Sequence, residues 1–179
     1  MLPKNLGGYT AGVLVNANTG SREELLVGGV AVGRALAGEL LPEYGRPRRR
    51  AELPTRGRAA DGSIIITVAT DAPLDALRLH DLAKRATLGL ARTGATSHVS
   101  SGDLIIAFST THVYPRGGGI AGPPLELDED RIDALYGAVA DATEAAIDDA
   151  LFSAKTMTGA NGVTIYALPY ERVQALLKR

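Results

Sequence analysis

The 179-residue sequence contains no cysteine and no tryptophan, and aromatic residues make up only 4% of it. Without cysteine, the chain can form neither a disulfide nor a thiolate zinc site. The low aromatic content argues against stacking platforms for single-stranded nucleic acid. Three histidines, His80, His98 and His112, show no metal-ligand spacing, so we expect no metal centre.

An excess of charge of one sign is also missing, since 19 basic and 20 acidic residues leave a net charge of −1. That balance argues against general binding to polyanions such as nucleic acid and against anchoring at a membrane surface. No apolar stretch approaches the roughly 20 residues of a membrane span. The first residues do not form the charged and apolar pattern of a signal peptide. We therefore expect a cytoplasmic protein and leave a periplasmic location open.

The apolar patterns predict a layered α+β domain with helices outside and a sheet inside. Strands are predicted at 10–16, 25–27, 63–69, 103–109 and 163–168. Helices are predicted at 34–41, from Pro73 to about Arg92 with Asp71 near the cap, from Asp128 to Leu151, and from Pro169. The core stripe of the long helix is Ile132, Leu135, Val139, Ala142, Ala146, Ile147 and Leu151. Strands 63–69 and 103–109 are apolar enough to be buried, and the first on both faces.

Residues 42–62 differ in composition, because arginine is concentrated there among proline and glycine, with almost no large apolar side chain. The arginines are Arg46, Arg48, Arg49, Arg50, Arg56 and Arg58. Such a segment buries too little surface to offset its ordering entropy, which predicts a mobile loop. A nucleic-acid patch is the alternative, and the lack of a basic face elsewhere disfavours it.

Familiar catalytic motifs are absent, including the Walker loop, GxGxxG, GxSxG and HExxH. The informative place is the junction of Gly62 and Ser63, where the arginine-rich loop enters an apolar strand. One interpretation is an ordinary turn that ends in a small polar residue. The other is autoproteolysis, because glycine leaves its carbonyl sterically open to attack by the Ser63 hydroxyl. A new N-terminal serine would carry a nucleophile and, in its own α-amine, a base. The spacing alone leaves both open.

Several segments resemble the DmpA/BapA family of autoprocessing serine aminopeptidases, in the same order along the chain. They are Tyr9–Gly20 (YTAGVLVNANTG), Ser63–Leu74 (SIIITVATDAPL), Leu82–Ala86 with Gly89–Gly94, Ser101–Thr110 (SGDLIIAFST) and Lys155–Gly159 (KTMTG). This family comprises L-aminopeptidase D-esterase/amidases and β-peptidyl aminopeptidases. The resemblance covers nearly the whole chain apart from the arginine-rich loop.

The resemblance implies a role for each matching polar residue. Ser63 would be the nucleophile that cleavage after Gly62 exposes, and the Asn18 amide would stabilise the oxyanion. Ser101 and Asp103 would support proton transfer. On the residues alone, ordinary turns are the favoured interpretation of both Asn18 and the Ser-Gly-Asp sequence. We expect His98 to be a solvated loop residue and not the general base.

The resemblance also implies the αββα sandwich of this family, with Ntn-hydrolase-like layering, or its C-terminal half. Residues 1–62 would then end the α-chain portion, and residues 63–179 would form the β-chain. The expected activity is release of the N-terminal residue from short peptides, amino-acid amides or esters, without a cofactor. Expected partners are such a substrate, a missing N-terminal half and further copies of the protein.

Two other functions stay open at this point. The chain could be a catalytically incompetent fragment, because family members carry a further N-terminal stretch about as long as this sequence. It could instead be an acyltransferase similar to the ornithine acetyltransferases. Those enzymes use threonine at the cleavage point, and Ser63 argues against that class.

Overall fold

The computed structural model describes residues 1–44, 62–99, 101–111, 116–118 and 126–178. Its strands are β1 (Ala11–Asn18), β2 (Ser63–Thr70), β3 (Leu104–Ser109), β4 (Met157–Thr158) and β5 (Thr164–Ile165). Its helices are α1 (Val32–Ala35), α2 (Ala76–Arg92), α3 (Glu129–Ser153) and α4 (Tyr170–Leu177). The main sheet has the order β1-β2-β3, with β1 antiparallel and β3 parallel to the central β2.

Helices α2 and α3 pack against each other and cover one face of this sheet. The side chains that β2 directs toward them, Ile64, Ile66 and Val68, are fully buried. Each such side chain contributes about 1.5–3 kcal/mol to the hydrophobic stabilisation of the fold. The predicted stripe of α3 faces this core, with Leu135 and Val139 fully buried. One helix layer on one sheet layer is therefore the arrangement that positions the site.

The opposite face of the sheet is open, which corrects the prediction that β2 is covered on both sides and β3 is buried. Leu14 of β1 is 72% exposed, Ile106 of β3 is 51% exposed and Phe108 is 44% exposed. Ile65 of β2 is also exposed on this face. Apolar composition predicted burial correctly for the helix-covered side, but nothing in the described part of the chain packs on the other side.

The region 25–41 was predicted incorrectly. Instead of a strand at 25–27, Val27 and Val30 form an isolated antiparallel bridge with two backbone hydrogen bonds of 3.0–3.1 Å. Gly28 and Gly29 both have positive φ, at 54° and 77°, so they form the tight turn between these valines. A Gly-Gly pair between two β-branched residues is a known hairpin signal, and it explains the turn here. The following helix, α1, ends at Ala35 and not near residue 41.

Helix α2 begins later than predicted. Its N-cap is Asp75, whose carboxylate accepts a 2.7 Å hydrogen bond from the Arg78 backbone N–H. Asp71 instead accepts a 2.7 Å hydrogen bond from the Thr10 backbone N–H and so ties the start of β1 to the end of β2. The long helix opens where the sequence predicts, and Asp128 is its N-cap, accepting a 3.0 Å hydrogen bond from the Arg131 N–H.

The C-terminal part forms a small unit beside the main sheet. The strand predicted at 163–168 is only two residues long in β5, which pairs with the unpredicted β4. Helix α4 buries Val173 against Val27, Val32 and Leu36, so a second small core joins it to the region before residue 44. An ion pair of 2.7 Å between Arg172 and Glu39 lies on the outside of this unit.

Two predicted segments fall largely outside the described residues. The arginine-rich loop at 42–62 is described only at 42–44 and at Gly62, and the glycine- and proline-rich segment at 115–124 only at 116–118. Among the described helices, none is long and apolar enough to cross a membrane.

Gly89 and Gly137 provide a matched test of the α2–α3 contact. A Cβ at Gly89 would collide with the Ala140 carbonyl and lie 2.7 Å from Thr143 Cβ, whereas a Cβ at Gly137 would meet nothing within 4 Å. We expect Gly89→Ala to lower the free energy of unfolding by about 1–3 kcal/mol through overpacking. Gly137→Ala should raise it by about 0.5–1 kcal/mol through helix propensity. Urea unfolding of both variants checks this, and equal effects would contradict the close packing.

Candidate active site

The predicted site residues meet at one edge of the sheet because of the strand directions. Antiparallel β1 ends at Asn18, where the central β2 begins at Ser63, and the two residues are register partners. Parallel β3 begins at Leu104 at the same edge, opposite Ile65. The turn that leads into β3 carries Ser101 and Asp103, so residues far apart in sequence lie at the start of adjacent strands.

Ser63 is an exposed residue on the open face of the sheet. Its Oγ accepts a hydrogen bond of 3.2 Å from the backbone N–H of Gly102. Because Oγ acts as the acceptor here, its own proton is free to be donated elsewhere. A Cβ at Gly102 would lie 3.2 Å from the same oxygen, so this close approach favours glycine.

Ser101 and Asp103 are both half-buried and are joined directly. The Ser101 hydroxyl donates a 2.7 Å hydrogen bond to Asp103 Oδ1. Since that proton points at the carboxylate, the lone pairs of Ser101 Oγ remain available to accept a proton from another group. The structure therefore places the predicted Ser-x-acid pair on both sides of the glycine that contacts Ser63.

Asn18 is exposed on the same face as Ser63. Directly opposed residues of an antiparallel pair have Cβ atoms about 4.5–5.5 Å apart and project to the same side. The Asn18 amide is thus a near neighbour of the Ser63 hydroxyl. The four predicted site residues, Asn18, Ser63, Ser101 and Asp103, lie together, and the N–H of Gly102 is a further polar group that the sequence reasoning missed.

Gly62 is buried and has no room for a side chain. A Cβ there would lie 2.9 Å from the Asn18 carbonyl oxygen and 3.2 Å from Thr19 Cα, both backbone atoms. The backbone at the predicted cleavage point is therefore pressed against the end of β1. This contact supplies a physical reason for glycine before Ser63.

His98 lies in a loop, as the sequence suggested, but its side chain also contacts a carboxylate. Its Nε2 lies 3.2 Å from Glu24 Oε2, and both side chains are only about one-third exposed. The pKa of Glu24 is lowered, first by hydrogen bonding with Ser21 and then by hydrogen bonding with His98, against a smaller opposing effect of desolvation. The sequence distance of 74 residues explains why this pair could not be read from the sequence.

A cavity of about 390 Å³ lies beside Asn18. Its walls come from the end of β1 and the following turn (Ala17–Arg22), the segment Thr93–Ala95 after α2, and the C-terminal part of α3 with Ile147 and Leu151. Most of these side chains are small or apolar, so the cavity suits a small apolar group. Among the described residues, no cluster of three or more His, Asp or Glu side chains is placed to hold a metal ion.

Comparison with known proteins identifies the family. The sequence profile of peptidase family S58 matches residues 1–165. This chain belongs to peptidase family S58. It is 39% identical over 173 residues to the beta-peptidyl aminopeptidase BapA of Sphingosinicella xenopeptidilytica, covering 95% of this chain and 42% of that protein. The resemblance seen in the sequence is therefore confirmed.

Solved structures of the S58 type share the fold. The beta-aminopeptidase of Burkholderia sp. matches with a TM-score of 0.75 and 36% identity, over 99% of this chain and 46% of that one. The L-aminopeptidase D-Ala-esterase/amidase of Ochrobactrum anthropi, a variant of the Ntn-hydrolase fold, matches with a TM-score of 0.76 and 31% identity. That match covers 95% of this chain and 43% of the other. The predicted fold class is confirmed, and the chain spans less than half the length of these relatives.

The lowered pKa of Glu24 predicts a specific acid sensitivity. Because the folded-state pKa lies below the ordinary value of 4.5, the carboxylate stabilises the fold above that value. This stabilisation is lost as the pH falls through the folded-state pKa. Glu24→Gln should therefore flatten the decline of unfolding free energy between about pH 5 and pH 3. Urea unfolding across this pH range checks the prediction, and Glu23→Gln, at an exposed neighbouring residue, is the control. Equal slopes of unfolding free energy against pH in the two variants would contradict the prediction.

Proposed function

We propose that this chain is the nucleophile-bearing part of an autoprocessing serine aminopeptidase. It would cleave itself between Gly62 and Ser63 and then release the N-terminal residue of short peptides, amino-acid amides or esters. The observation that carries the proposal is the position of Ser63 at the start of β2, with Gly102 N–H on its hydroxyl and Asn18 as its register partner. Membership of a peptidase family supports the same reaction class.

Self-cleavage would begin with attack of Ser63 Oγ on the carbonyl carbon of Gly62. The hydroxyl proton passes to the Ser63 nitrogen, the C–N bond breaks, and an ester joins the Gly62 acyl group to Oγ. Water then hydrolyses this ester, which restores the hydroxyl and leaves a Gly62 carboxylate and a free Ser63 α-amine. The absence of a side chain on Gly62 leaves the carbonyl open to attack.

Substrate hydrolysis would use the new N-terminus. The α-amine accepts the Ser63 hydroxyl proton while Oγ attacks the substrate carbonyl, and the proton is then given to the leaving amine. Water hydrolyses the resulting acyl-enzyme. The Asn18 amide donates to the oxyanion, and the Gly102 N–H keeps Oγ oriented. Ser101, held by Asp103, supplies a hydroxyl whose lone pairs can accept a proton during these transfers.

The open face of the sheet supports a requirement for a covering half. Leu14, Ile106 and Phe108 form an exposed apolar surface that also carries Ser63 and Asn18. Contiguous apolar surfaces of this kind mark interaction sites. The relatives are more than twice as long as this chain. We propose that an N-terminal portion like that of the longer relatives supplies the second sheet over this face, and that the completed units associate further as homo-oligomers.

The first prediction of this proposal concerns the intact mass of the chain. Co-expression with the N-terminal portion of the BapA relative should yield two fragments, with a new N-terminus reading Ser-Ile-Ile-Ile. The isolated chain should stay whole at 18.6 kDa, because its site is uncovered. Ser63→Ala should remain uncleaved in the same complex, which excludes a contaminating protease. A wild-type chain that binds the covering portion but stays whole would refute self-cleavage.

The second prediction concerns the oxyanion. Asn18→Ala should reduce kcat for an amino-acid amide by about 10²–10³-fold, because one preorganised donor is lost from the transition state. Asn16 is exposed on the same face of the same strand, two residues earlier, so Asn16→Ala is the matched control. The control should retain nearly full activity. Equal losses in the two variants would show that Asn18 acts only through the strand.

A further inference from the structure

The segment between α2 and β3 carries the groups that face Ser63, and it is attached to the turn around Glu24. The Leu26 backbone N–H donates a 2.9 Å hydrogen bond to the Thr93 carbonyl. Gly94, at φ 91°, lies directly against the Glu24 carbonyl, with no space there for a Cβ. The beginning of the segment is therefore fixed to the backbone of residues 24–26.

The end of the segment is fixed by side chains. His98 Nε2 donates toward Glu24 Oε2 at 3.2 Å, and Thr96 Oγ1 lies 3.3 Å from the same nitrogen. Ser21 hydrogen-bonds the Glu24 carboxylate from within the same turn. Because the Glu24 and His98 side chains are each only about one-third exposed, water competes less for their hydrogen bond than it would for a fully exposed one.

A short hydrogen-bonded turn connects His98 to the site. The Ser101 backbone N–H donates a 2.7 Å hydrogen bond to the His98 carbonyl. The next N–H, that of Gly102, donates to Ser63 Oγ, and the Ser101 hydroxyl donates to Asp103. Movement of His98 would thus displace the donor on the nucleophile and the proton-accepting serine together.

We propose that Glu24 and His98 are positioning residues of the active site. Their side-chain pair holds the turn that places the Gly102 N–H and the Ser101–Asp103 pair against Ser63. Neither side chain needs to contact the substrate. The expected loss of kcat rests on the proposed function. The expected displacement of the Gly102 amide does not.

The structural test uses the amide NMR signal of Gly102 in the isolated ¹⁵N-labelled chain, with intact mass confirming one processing state throughout. Ser63→Ala removes the acceptor and defines the shift of an unbound Gly102 amide. Glu24→Ala and His98→Ala should each move the signal toward that position. Arg172→Ala breaks the exposed ion pair between Arg172 and Glu39, neither of which belongs to this segment. This control variant should leave the Gly102 signal at its wild-type position. A Gly102 signal that stays at the wild-type position in both Glu24→Ala and His98→Ala overturns the proposal.

The kinetic test uses the assembled enzyme. Glu24→Ala and His98→Ala should each lower kcat by about ten-fold with little change in KM, because misplaced catalytic groups affect the transition state more than substrate binding. The double variant should be no slower than either single variant. Glu24→Gln keeps an acceptor oxygen for Nε2–H and should retain most of the activity. Arg172→Ala should keep full kcat even if it lowers the melting temperature as much as Glu24→Ala and His98→Ala do.

The outcomes separate the two hypotheses. If the wild-type assembly shows no processing and no hydrolysis, the proposed function fails, and the Gly102 amide still decides the positioning role. If the wild type is active and both alanine variants keep kcat within about two-fold, the pair has no positioning role. An equal loss of kcat in Arg172→Ala would also reject it, because the effect would then be one of general stability.

Discussion

The direction of the three main strands is the constraint on which the site depends. One antiparallel and one parallel neighbour around β2 bring the end of β1 and the starts of β2 and β3 to a single edge. With either neighbour reversed, Asn18 or the Ser101–Asp103 turn would lie at the far end of the sheet from Ser63, about 20 Å away for a strand of six residues. The helices secure this arrangement by covering the inner face, where Ile64 and Ile66 are fully buried.

The central position of β2 is compatible with the proposed cleavage before Ser63. Ser63 is paired through the register with Asn18 on one side, and its Oγ accepts from Gly102 on the other. Ile64, one residue later, is completely buried. A break before Ser63 would leave these contacts in place, so the new N-terminus would stay where the nucleophile is required. Fraying of chain ends is otherwise the rule at termini that are not tied down.

Local patterns were enough to predict the main elements and most of the core stripe of α3, but not the contacts between distant segments. The continuous apolar run of 63–69 predicts β2, whereas the site residues Asn18, Ser63, Ser101 and Asp103 come from the family resemblance. Apolar composition could not indicate which face of β2 is covered within this chain. The Gly102 N–H is a backbone group present at almost every residue, and the Glu24–His98 pair joins positions 74 residues apart. Neither leaves a signal in local sequence.

The uncovered face also carries the candidate site, so under the proposed function completion of the fold would be coupled to activity. Ser63 and Asn18 project among Ile65, Leu14 and other exposed apolar side chains. In water, the dipoles around Ser63 are screened, and the hydroxyl competes with solvent for its partners. A second sheet over this face would bury the apolar side chains and lower the local dielectric, which strengthens every donor aimed at the reacting carbonyl. Under the proposed function, the hydrophobic association of the two sheets would therefore also strengthen the hydrogen bonds that act on the reacting groups.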